Sequence, residues 1–250
     1  MKEIRTVLNP CPCLIDYKSK ERVIKMKSVK TAVLKKSIAI FLVVILPSVV
    51  AARGIPATEV VIAATEGLTT FLHQINAQNL DRFGFYSQAD ISGAQLGPAF
   101  QIFTIPPDKI LSYDPSISDL SSMIVPTNQW QFLIISQGNP KSLLTVDFFK
   151  DEWTAVSIGA SGLAMQLSKI TEAWPASAGY RYRLIRVYQA KSDFLEMSLG
   201  EKVIGIVPLL SARMALGSEK EDFDPLGLED SRNILINLRP IVEKNIQEGR

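Results

Sequence analysis

The sequence predicts an α+β fold: an antiparallel sheet of about five or six strands with helices packed on one face, preceded by a signal peptide. Three observations carry that prediction. Extended segments come in runs joined by very short turns, helical segments lie between the runs, and a lysine-flanked apolar block stands ahead of both.

The apolar block runs from Ile38 to Val50, with Lys27, Lys30, Lys35 and Lys36 before it and no acidic residue among them. Pro47 breaks it, and Val49-x-Ala51 supplies the −3 and −1 positions of a signal-peptidase site. A membrane span needs about 20 apolar residues, more than this block offers. Residues 26–52 therefore read as a signal peptide cleaved near Ala51-Ala52, which places the product in the periplasm or outside the cell. The alternative is an uncleaved inner-membrane anchor. Residues 1–25 read as an over-extended start or a disordered leader, because Glu3, Asp16 and Glu21 sit badly in a signal n-region. Met26 opens the usual Met-Lys-Ser-Val-Lys start, so Met1 and Met26 both stay open as first residues.

Removing that leader reverses the charge. The chain of 250 residues carries 27 basic and 25 acidic side chains, a net +2. Residues 1–53 hold 11 of the basic and 3 of the acidic ones, which leaves 16 and 22 after them, a balance of −6. Phosphate neutralisation supplies most nucleic-acid affinity, so no nucleic-acid partner is expected. His73, Cys11 and Cys13 are the whole supply of histidine and cysteine, too few outside the leader for a zinc site. No disulfide is available after the leader, and no N-x-Ser/Thr sequon occurs, as in many exported bacterial domains. Glycine-rich phosphate loops are absent and no cofactor is expected. The expected partner is an envelope protein or a small ligand, with the membrane touched only through the signal segment.

Residues 53–217 read as the globular α+β domain. Its first helix spans Thr58 to Ile75, with Val61, Ala64, Leu68, Leu72 and Ile75 as the apolar stripe and His73 beside it. Ser87, with Asp90 three residues later, caps a short second helix. Phe100 to Ile105 is a strand halted by Pro106-Pro107, and short helical turns follow near Ile110 and Leu120. Trp130–Ser136, Ser142–Phe149 and Trp153–Ile158 are strands joined by tight turns, which forces antiparallel pairing. A helix from Ser161 to Trp174 precedes the strands Tyr180–Tyr188, Asp193–Leu199 and Lys202–Val207. A last short helix ends at Gly217. Residues 218–250 read as an acidic linker and a C-terminal amphipathic helix. The stripe Ile234, Leu235, Leu238, Ile241, Val242 and Ile246 docks on the parent domain or meets a partner, and Pro240 allows two helices or a kinked one.

Two places stand out as candidate binding sites. Gly159-Ala160-Ser161-Gly162-Leu163 lies where a strand turns into a helix, but its second glycine comes one residue early for a nucleophile elbow. Ser161 reads as a plain helix N-cap, and free N–H groups beside Gly162 are positioned to hold an anion. In Tyr180-Arg181-Tyr182-Arg183, alternation puts Arg181 and Arg183 on one strand face and the tyrosines on the other. Aromatics beside arginines bind sugars, nucleotides or acidic peptides; the plainer role is arginines paired with carboxylates. Glu221, Asp222, Asp224, Glu229 and Asp230 crowd one loop without EF-hand spacing, so no metal is expected there. These features predict an exported, periplasmic binding or assembly protein without catalysis. The alternative is a hydrolase acting on a cell-envelope component through carboxylates or Ser161.

Overall fold

A computed structural model describes residues 55–116, 119–218 and 222–249. The leader, the signal segment, Cys11 and Cys13 lie outside the described residues. Helix α1 (Thr58–Gln74) leads through α2 (Gln88–Ser92) to strand β1 (Ala94–Thr104). Helices α3 (Pro107–Leu111) and α4 (Leu120–Met123) precede a meander of β2 (Val125–Ser136), β3 (Asn139–Phe149) and β4 (Glu152–Gly159). Helix α5 (Ser161–Ala173) crosses to a second meander of β5 (Tyr180–Val187), β6 (Ser192–Leu199) and β7 (Lys202–Pro208). Helices α6 (Leu210–Leu216) and α7 (Ser231–Gln247) follow.

The architecture is α+β, but the sheet is larger than expected and mixed. Seven strands join in the order β4-β3-β2-β1-β5-β6-β7. Tight turns make neighbours within each meander antiparallel. The connection to β5 instead runs through α5, long enough to return the chain in the same direction, and β1 and β5 lie parallel, with Ile102 opposite Leu184 and Thr104 opposite Arg186. β1 also begins well before Phe100. Gly97-Pro98 sit at a register shift between Leu96 and Ala99, where a bulge accommodates a proline lacking its N–H.

Helices cover both sheet faces, not one. In β2, Leu133 packs with Leu167 and Ile170 of α5, whereas its neighbours Phe132 and Ile134 pack with Val60, Ala64 and Leu68 of α1. Successive strand side chains point to opposite faces, so α1 and α5 sandwich the sheet. The clue lay in the unbroken apolar run Phe132–Ile135, which marks a strand buried on both sides.

On α1 the buried stripe starts at Val60, and Val61 is turned toward solvent. Gly67 in mid-helix forfeits about 1 kcal/mol relative to alanine. Its reason is contact: a Cβ there would stand 2.0 Å from the Cβ of Ala155 in β4. Helix α7 is a single helix with Pro240 inside it, and Asp230 caps its start by accepting from the Arg232 N–H at 2.8 Å. Its Ile234, Leu235, Leu238 and Val242 are buried with Phe103 of β1 and Ile185 of β5. Among the described residues no helix is long and apolar enough to cross a membrane.

Candidate functional site

The turn from β4 into α5 holds Ser161 and Gly162, and it differs from the expected cap. Ala160, at φ 58 and ψ 46, occupies the cap position in the left-handed region, and Ser161 is already the first helical residue. No side chain caps this helix. The strained position, where a nucleophile elbow carries its serine, is therefore filled by a methyl group. Gly162 is exposed.

Ser161 lies beside a tight crossing that the sequence did not reveal. Gly84 (φ 79) brings the chain so close that a Cβ would meet the Lys141 carbonyl oxygen at 2.1 Å and the Ser161 Cβ at 2.8 Å. Lys141 is buried, with its Nζ 3.0 Å from Asp90 Oδ1. Asp90 also accepts from the Tyr86 N–H at 2.9 Å, while Ser87 Oγ caps α2 by accepting from the Asp90 N–H at 3.1 Å. The Tyr86 N–H above all, and then Lys141, hold the Asp90 carboxyl below its ordinary value. Lys141 Nζ is thus directed at Asp90, and no hydrogen bond joins it to Ser161 among the described residues. His73 stays exposed at the end of α1.

The second candidate lies on β5. Antiparallel pairing with β6 sets Arg181 opposite Ser198 and Arg183 opposite Glu196. Glu196 is almost fully buried, at 2% exposure. Arg183 closes over it, with Nε 2.8 Å from Oε1 and Nη2 2.7 Å from Oε2, and reaches Ser121 Oγ in α4 at 3.4 Å. The same guanidinium stacks 5.8 Å from the Phe103 ring centre. Arg181 is different: it is exposed and forms no ion pair or hydrogen bond with a described residue. It rims a recess of about 70 Å³ that Ser121, Arg183, Glu196, Ser198 and Val203 also line.

The tyrosines occupy the other sheet face. Tyr182 donates its hydroxyl to the Trp174 carbonyl, and burial pushes its phenol up. Tyr180 meets the Trp174 ring edge-on at 5.2 Å. These rings close the end of α5 against the sheet, and Tyr182 also lies tilted 6.1 Å from the Phe100 ring centre.

In the acidic loop, Asp222, Asp224 and Glu229 line one recess with the buried Arg213, whose guanidinium lies 5.9 Å from the Phe223 ring centre. Asp224 accepts from the Leu226 N–H in a tight local turn. Among the described residues no group of histidine, cysteine, aspartate and glutamate has metal-binding geometry. No protein-family model, curated protein or solved structure matches this chain.

Proposed function

We propose that this chain is an exported, periplasmic binding or assembly protein without catalytic activity, and that its recognition point is the recess beneath Arg181. The observation that carries this reading is the Arg181 guanidinium, unpaired among the described residues, above a recess of about 70 Å³ with the hydroxyls of Ser121 and Ser198 in its wall. Pockets that enclose a whole small molecule run to about 300–1,000 Å³. A recess this small suits one functional group of a larger partner, and a free arginine beside hydroxyl donors selects a carboxylate or another small anionic group. Arg183 serves as the floor, because its charge already answers Glu196.

The hydrolase reading finds little support. Ala160 occupies the strained turn, Lys141 is paired with Asp90, and the carboxyls of Asp90 and Asp114 are both held below their ordinary values. A general acid needs the opposite shift.

The test is photo-crosslinking in the envelope from a reactive residue placed at Ser198. A discrete crosslinked protein that disappears with Arg181→Gln supports the reading. Stoichiometric labelling of Ser161 by a serine-directed phosphonate overturns it in favour of a hydrolase.

A further inference from the structure

We infer that the recess beneath Arg181 takes a zwitterionic group of its partner, a carboxylate and an ammonium joined by a short linker, as in the head of an amino acid. The carboxylate meets Arg181 and the ammonium meets Glu201. This rests on the recess reading above and adds the second charge of the group that enters.

The first support is the balance of charge in the recess. Among the described residues, its ionised lining side chains are Arg181, Arg183, Glu196 and Glu201. Arg183 and Glu196 answer each other at the floor, with Nη2 2.7 Å from Oε2. One cation and one anion remain, Arg181 and Glu201, and both are exposed. Neither forms an ion pair or hydrogen bond with a described residue, and they do not pair with each other.

The second support is how the backbone keeps those charges apart. Strand pairing sets Arg181 opposite Ser198 and Ser198 opposite Val203, one row across three strands. Glu201 stands off that row, in the turn from β6 to β7 that Gly200 opens at φ 61. Lys202 is opposite Leu199, so strand alternation turns it to the other sheet face, and it does not line the recess. Within the recess Glu201 therefore has no cation of its own. The Ser198 hydroxyl has no hydrogen-bond partner among the described residues and is free to donate to a bound carboxylate.

The third support is selection. A lone carboxylate drawn to Arg181 is repelled by Glu201, and a lone ammonium drawn to Glu201 is repelled by Arg181. A group with both charges answers the two residues together. The recess volume of about 70 Å³ limits that group to a short linker.

The experiment is a titration of the purified protein at neutral pH and low salt, read at the backbone amides of Ser198 and Glu201 by NMR. Glycine, β-alanine and γ-aminobutyrate carry both charges at increasing separation. N-acetylglycine carries only the carboxylate, and glycinamide only the ammonium. The expected result is that one of the zwitterions binds at least about tenfold tighter than either single-charge probe, about 1.4 kcal/mol. Glu201→Gln removes its advantage over N-acetylglycine, and Arg181→Gln removes its advantage over glycinamide. Both side chains are exposed, so both variants should keep the parent melting midpoint. If N-acetylglycine binds as tightly as every zwitterion and loses its affinity with Arg181→Gln, the zwitterion is overturned and the recess reading stands. Binding that Arg181→Gln leaves unchanged, or no binding of any probe at millimolar concentration, overturns both readings.

Discussion

Replacing Arg183 with methionine separates the two arginines of β5 by their energetics. The substitution keeps much of the aliphatic stem over Phe103 but leaves Glu196, 2% exposed, without its guanidinium partner. Removing one member of a buried ion pair costs about 3–5 kcal/mol, because the remaining charge has lost both water and partner. For a domain of this size each kcal/mol moves the melting midpoint by about 2–4 °C, so a fall of roughly 6–20 °C is expected. The double variant Arg183→Met with Glu196→Leu removes both charges and should recover most of the loss. Arg181→Gln should stay within about 0.5 kcal/mol of the parent, since Arg181 touches no described partner. Urea unfolding of the four proteins at constant m-value measures all of this. A cost below about 1 kcal/mol for Arg183→Met, or a double variant no better than the single, would refute the placement of Glu196 as a charge dependent on Arg183.

Four further outcomes follow from the same structure. Asp90 is held below its ordinary value of 3.8, so its contribution is present above that value and is lost as pH falls through the folded-state value. The urea midpoint gap between the parent and Asp90→Asn should be wide at neutral pH and close in acid; a gap that persists in acid contradicts the pairing. Gly67→Ala should destabilise by about 1–3 kcal/mol through overpacking against Ala155, against the usual helical gain, and adding Ala155→Gly should restore stability; a stabilised single variant would show that α1 does not approach β4 so closely. Ser161→Ala should change stability by less than about 0.5 kcal/mol, because Ser161 caps nothing, and a loss above 1 kcal/mol speaks for a cap. N-terminal analysis of exported material should find a start near Ala52 or Arg53, and full-length chain in the cytosol speaks against export.

Helix α1, helix α5 and the two meanders were legible because each is written in a local code. Apolar residues three or four apart, Ser87 three residues before Asp90, and tight turns between extended runs all act within a few residues. The tyrosine and arginine alternation of β5 belongs to the same class, since the strand period alone puts neighbours on opposite faces. Where a local code was ambiguous, the reading slipped by small amounts. On α1 the stripe includes Ala64, Leu68 and Ile75 as expected, with Val60 in place of Val61, and β1 extends back past Phe100 through a bulge at Gly97-Pro98.

Long-range placement was decided elsewhere. Nothing near Ile102 specifies a parallel partner at Leu184, and nothing near Asp90 specifies Lys141. Those pairs exist because α5 carries the chain across the sheet and because Gly84 lets one loop lie against the next. The roles of Arg181 and Arg183 split for the same reason. They are two residues apart on one face with the same charge, and β6 sets Glu196 opposite one and Ser198 opposite the other. Periodicity and turn chemistry, acting along the chain, set most of the inward-facing residues and the places of the turns. Which charge is buried and which stays exposed follows from neighbours that the packed sheet brings together.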